Sequence, residues 1–115
     1  MKDYKFDFEV ENKKYTMIFN LNVLEEIQEE YGTIEKWGDL TDGKNGEVNV
    51  KALIFGLTSM INEAIDIENE NLDIRRPLLT HKQVGRLVTK IGIEKASEKL
   101  NNAVIEATKN EEKNE

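Results

Sequence analysis

The sequence predicts an α+β domain: an N-terminal two-stranded β-hairpin packed on a bundle of about four to five α-helices. Three observations carry that prediction. Up to Phe19, apolar and polar residues alternate with a period of two, the pattern of a half-buried strand. Beyond it, apolar residues recur at three- and four-residue spacing, which places them on one face of a helix. Each helical block is also bounded by an Asn or Thr that suits a helix start or by a Gly that suits a helix stop.

Length and composition set the frame. The chain has 115 residues, enough for one domain with its own core. We assign residues 1–108 to that domain and 109–115 to a frayed polar tail. Hydrophobic residues make up 38%, and because they come in periodic blocks the chain is expected to fold rather than remain disordered. The formal net charge of −7 argues against a nucleic-acid backbone, whose binding depends on Lys and Arg, and against an anionic membrane surface. It leaves room for a basic protein partner. The absence of cysteine excludes disulfides and thiolate metal sites and fits a reducing compartment. Met1–Lys5 lacks an apolar signal core, and no run approaches the roughly 20 apolar residues of a membrane helix. A cytoplasmic location is therefore expected.

In order, Asp3–Val10 sets Tyr4, Phe6, Phe8 and Val10 on one face and Lys5, Asp7 and Glu9 on the other. A polar turn over Glu11–Lys14 leads to Tyr15–Phe19, with Tyr15, Met17 and Phe19 on one face and Thr16 and Ile18 on the other. This is the hairpin, about residues 3–19. The next helix is predicted over 23–31. Asn22 is its expected N-cap and Glu25 the partner in a capping box. Val23, Leu24, Ile27 and Tyr31 form its apolar stripe, and Gly32 is its stop. That stripe is expected to meet the aromatic face of the hairpin, leaving Glu25, Glu26, Glu29 and Glu30 to solvent or a partner. Thr33 opens a short helix, 33–38, that carries Trp37, the only tryptophan and an expected core anchor. Gly38–Asn49, with three glycines, reads as an exposed loop.

Asn49 then caps the most apolar helix, 50–66. Its stripe is Val50, Leu53, Ile54, Leu57, Ile61, Ala64 and Ile65, widened by Phe55 and Met60. Ile67–Leu79 is a linker that runs from acidic to basic and contains the only proline, Pro77. Thr80 and Gln83 form a capping box for a helix over 80–91 with Val84, Leu87, Val88 and Ile91 inward and Gly92 as its stop. The last helix, 94–108, turns Ala96, Leu100, Ala103, Val104 and Ala107 inward.

Catalytic and metal-binding patterns do not emerge. His81, the only histidine, follows a cap among Lys82 and Arg86 and reads as an exposed first-turn residue. Counted as calcium loops, Asp66–Asp73 and Asp39–Glu47 lack the glycine and glutamate that such loops need at their sixth and twelfth positions. The paired glutamates lie on the polar side of a helix, where nothing desolvates a carboxyl for acid–base work. The glycines make no phosphate-cradling pattern. No cofactor is implied.

With these features assembled, the chain resembles one family. The segment Tyr15–Trp37, with Phe19, Leu21, Asn22, Leu24, Glu25, Tyr31, Gly32 and Trp37, looks like the N-terminal signature of the tail assembly chaperones of long-tailed phages and prophages. Lys51–Ala64, with Ala52, Leu53, Asn62 and Glu63, resembles that family's central helix. Pro77–Leu87, with Thr80, Val84 and Gly85, resembles its next helix start. The likeness covers about Tyr4–Leu100 in order, and departs from the family at His81, Lys82 and Gln83 and in the longer charged linker. It implies a non-enzymatic protein that binds the tape measure protein and recruits tail tube subunits in the cytoplasm of a bacterial host, and the acidic charge agrees in leaving out nucleic acid and membrane as partners. It also implies two product lengths made by ribosomal frameshifting. Glu112-Lys113-Asn114 permits a slippery A-AAA-AAT run, and so does Thr108-Lys109-Asn110. Two other classes stand beside this one: a small acidic regulator or inhibitor of the nucleic-acid-mimic type, acting on a basic protein groove, and a structural head–tail or tail component.

Overall fold

In the computed structural model, which describes residues 3–113, two antiparallel strands, β1 (Tyr4–Val10) and β2 (Lys13–Phe19), precede five helices. These are α1 (Leu21–Tyr31), α2 (Ile34–Thr41), α3 (Val50–Asn69), α4 (His81–Ile91) and α5 (Ile93–Lys113). The α+β prediction holds in class and in element order.

The hairpin turn is tighter than the sequence suggests. Val10 pairs with Lys13, so only Glu11 and Asn12 lie between the strands. Both have positive φ, 51° and 67°, as a two-residue turn of the primed kind requires. Asn tolerates that region and Glu does so at a cost. Lys13 and Lys14 therefore belong to β2 and not to the turn. The register pairs Tyr4 with Phe19, Phe6 with Met17 and Phe8 with Tyr15, which gathers the aromatics on one face. Phe8 and Tyr15 stack at 5.5 Å. Ile18, on the other face, is buried as well, so β2 is covered on both sides near its end.

The hairpin packs chiefly on α3 through β2 and only lightly on α1. This corrects the expectation that the α1 stripe meets the aromatic face. Helix α3 makes contact with every other element except β1, and it is buried on most of its circumference. Ala52, Gly56 and Ser59 are inside along with the predicted Leu53, Ile54, Leu57, Met60, Ile61, Ala64 and Ile65. A helix enclosed by its neighbours needs small residues where they come close. Val50, at its first turn, is exposed instead.

Several boundaries shift, each for a visible reason. Helix α1 starts at Leu21 because Asn20, not Asn22, is the N-cap. The Asn20 backbone is extended, and its Oδ1 accepts from the N–H groups of Asn22 (3.1 Å) and Val23 (3.3 Å). Glu25 therefore sits one turn in, without the predicted capping box. Helix α2 runs on to Thr41, through Gly38 and Asp39, because its end is tied to α5. The Thr41 carbonyl accepts from the Ser97 hydroxyl and from Asn101 (3.2 Å), while the Thr41 hydroxyl donates back to the Trp37 carbonyl (3.1 Å). Helix α3 continues to Asn69, and α5 runs from Ile93 to Lys113, past the point where the tail was expected to fray. The final two residues of that expected tail lie outside the described residues. The stops at Gly32 (φ 88°) and Gly92 (φ 94°), the caps Thr33 and Asn49, and the Thr80–Gln83 capping box stand as predicted.

Residues 70–80 form an exposed strap tied to α3 at two points. Asn62 and Asn69 stand two turns apart on α3, seven residues being about two helical turns. Asn69 accepts from the Arg76 N–H (2.9 Å) and donates to the Arg76 carbonyl (2.9 Å). Asn62 does the same for Leu79, at 2.8 and 2.9 Å. Each side-chain amide thus replaces a missing strand neighbour and holds the strap along the helix.

Candidate functional site

The residues that carry the family resemblance form joints of the fold. Asn22 donates to Glu63 Oε2 (3.0 Å), and the Asn20 amide donates to the same oxygen (2.6 Å) and to Asp3 Oδ1 (2.8 Å). This knot ties the start of α1 to α3 and to the chain just before β1. Trp37 is wholly buried and its Nε1–H donates to the Ala52 carbonyl (3.0 Å). That bond locks α2 onto α3. Asn62 holds Leu79, the residue before the Thr80 cap. Phe19, Leu53 and Val84 are core residues, and Gly85 faces Ile54 of α3 with room for a Cβ in ordinary contact. Tyr31 meets Phe55 edge-on at 5.5 Å, and burial of its ring raises the phenol above its ordinary pKa, with Glu30 adding to the shift. Gly32 ends α1, Leu24 is half-buried, and Leu21 and Glu25 are exposed. The set is spread along the molecule and lines no common cleft. His81 is exposed, at the first position of α4.

No family model, curated protein or solved structure matches the chain.

The candidate site lies elsewhere, on a face of which the sequence reading treated one wall, residues 42–48, as exposed loop. A groove of about 1100 Å³ opens between α2, residues 42–48 and the N-terminal half of α5. Its apolar lining comes from Ile34, Val48, Val50, Ile93, Val104 and Ile105, above the buried Trp37 ring. Three of these are largely uncovered: Val50 is 44% exposed, Ile93 45% and Ile105 55%. Apolar side chains of that size gathered in one concavity mark a contact surface, whereas the same residues scattered singly would not. Gly43 (φ 76°) and Gly46 (φ 121°) adopt the positive φ that bends residues 42–48 into the groove wall, and Asp42 Oδ1 accepts from the Lys44 N–H (2.9 Å) within it.

The rim is acidic. Glu35, Asp39, Asp42, Glu47, Glu94 and Glu98 line the groove, against Lys44 as the one cation among the described residues that line it. Glu35 and Asp39 are four apart on α2, and Glu94 and Glu98 four apart on α5, so each wall carries a row of carboxylates. Ion pairs among the described residues lie at other places: Lys14 with Asp7, Arg76 with Glu68, and Lys90 with Glu11. Among the described residues no group of three or more His, Asp or Glu is placed to hold a metal ion. Also among them, no helix is long and apolar enough to cross a membrane.

The sequence carried partial signals of this site. The i, i+4 carboxylates were visible, and Ile93 and Ile105 fell outside the predicted α5 stripe. What was missing was the length of α2, without which the two acidic rows do not face a common trough.

Proposed function

We propose that this protein is a non-catalytic tail assembly chaperone of a long-tailed phage or prophage. In this role it holds a tape measure protein in solution and recruits tail tube subunits while the tail is built. Two things support the reading: the ordered resemblance over Tyr4–Leu100, and a surface suited to holding a helical client. The observation that carries it is the α2–α5 groove. An apolar trough edged by charge shields a sticky segment of a partner while keeping the pair soluble. The spread of the signature residues over structural joints also fits a binding scaffold, in which the fold is fixed and the surface does the work of recognition.

The experiment is co-expression with the tape measure protein encoded by the same genome. The expected result is that the client moves from the pellet to the soluble fraction and co-purifies with this chain. An unchanged distribution of the client overturns the reading. The gene order gives a second check: a tail tube gene upstream and a very long tape-measure gene downstream are expected.

A further inference from the structure

We propose that the α2–α5 groove recognises one particular ligand chemistry: a cationic amphipathic helix of about three turns, with its apolar stripe flanked on both sides by Lys or Arg. The proposal deepens the chaperone reading and rests on it for the identity of the client, but the chemistry of the groove stands by itself.

Length comes first. Ile93 to Ile105 spans twelve steps along α5, or about 18 Å at 1.5 Å per residue, which matches about three turns of a partner helix. The occupant is a helix rather than an extended strand because the two long walls, α2 and α5, are helices, and residues 42–48, which close the trough, form no strand. Adding a strand needs an open sheet edge, and the hairpin lies on other residues than those lining the groove. Apolar contact is supplied at the floor by Val50, Ile93 and Ile105. These suit anchors at i, i+3, i+4 and i+7.

Charge sets the rest. Like charges four apart on one helix repel. Here two such pairs, Glu35/Asp39 and Glu94/Glu98, face the same trough from opposite walls. A cationic row on each flank of the incoming helix relieves both. A second copy of this chain offers a poorer fit. Its exposed cationic rows, Lys82, Arg86 and Lys90 on α4 and Lys95 and Lys99 on α5, lie on helices whose apolar faces are already buried, by Val84, Leu87 and Val88 and by Ala96, Leu100 and Ala103.

The test uses the full chain and three fluorescent synthetic peptides of about 14 residues, read by anisotropy. One carries a Leu stripe flanked by Lys, one the same stripe flanked by Glu, and one is a scramble of the first. We expect the Lys-flanked peptide to bind, the other two to bind at least about tenfold more weakly, and binding to weaken by a similar factor at about 0.5 M salt. Glu94→Lys with Glu98→Lys, and separately Ile93→Asp with Ile105→Asp, are each expected to lower affinity about tenfold or more. All four positions are exposed, so the variants are expected to fold, and circular dichroism is the check. Equal binding of the scramble, or no loss on either double substitution, overturns the proposal. So does sedimentation showing a dimer that the peptide cannot displace, since that assigns the groove to a second copy. The two readings fail separately. A soluble co-expressed client with no peptide binding sinks the groove chemistry alone, and peptide binding without client rescue sinks the chaperone reading alone.

Discussion

A Cβ on Gly56 would lie 2.3 Å from Cζ2 of Trp37. The two residues are therefore one fitted pair: α3 gives up a side chain so that the indole can reach the Ala52 carbonyl. The ring is wholly buried and held by its own hydrogen bond, so it has little freedom to retreat. Gly56→Ala gains about 1 kcal/mol of helix propensity but forces an overpacked core, which costs about 1–3 kcal/mol and more where nothing gives. We expect net destabilisation of about 2 kcal/mol in chemical denaturation. On a Trp37→Leu background the same substitution should cost less than half as much. Equal costs on both backgrounds would contradict the pairing.

The two asparagines at the start of α1 should behave differently. Asn20→Ala removes the cap and the bonds to Asp3 and Glu63, and is expected to cost about 1–2 kcal/mol. Asn22→Ala removes one exposed bond and should stay within about 0.5 kcal/mol. Thermal melts of the two variants decide it, and the reverse order would restore Asn22 as the cap.

Within the same helix, depth decides tolerance. Ile27 is fully buried and Leu24 only half-buried. Ile27→Asp strands a charge in the core and should cost more than about 4 kcal/mol, enough to unfold a small domain. Leu24→Asp should weaken the fold while leaving it measurable, and Glu26→Ala should be neutral. Far-UV dichroism at 25 °C separates the three, and a folded Ile27→Asp protein would overturn the placement.

These cases show how much was legible. Periodicity found the hairpin and every helix, because burial of one face is written into spacing. Gly32, Gly92 and the Thr80–Gln83 box were legible because a stop or a cap is a local event. The start of α1 was misread because Asn20 and Asn22 both suit a cap on local grounds, and tertiary partners, Asp3 and Glu63, decide between them. The end of α2 was misread because Gly38 and Asp39 look like a turn until Ser97 and Asn101, more than fifty residues away, take the Thr41 carbonyl. The groove was only partly legible for the same reason. Its two acidic rows are adjacent only after α2 and α5 have packed.

Asp7 offers a test by pH. The Thr16 hydroxyl donates to it at 2.7 Å, which is the main cause of its carboxyl lying below the usual range; desolvation opposes the shift, and the Lys14 ammonium at 3.3 Å assists it. A depressed folded pKa means that the contribution to stability is present above the unfolded value of about 3.9 and fades as pH falls through the folded one. The pair is exposed, so the effect on stability is small. A carboxyl titration by NMR should give a midpoint below that of a free aspartate, and Thr16→Val should move it back up. A midpoint unaffected by Thr16→Val would show that the hydroxyl is not the cause.

The strap has its own signature in hydrogen exchange. Asn62→Ala should speed exchange of the Leu79 amide by about tenfold, and Asn69→Ala that of Arg76, with α5 amides unchanged. Uniform acceleration across the molecule would instead indicate global destabilisation.

Asn62 and Asn69 grip main chain, not side chain. A clasp of this kind is indifferent to what it holds. Leu72, Ile74 and Leu78 project into solvent from a segment whose course is set at Arg76 and Leu79 by backbone N–H and C=O groups that every residue but proline has. The protein thereby keeps a stretch of surface on which sequence can drift freely, changing what the outer face offers without loosening the frame beneath it.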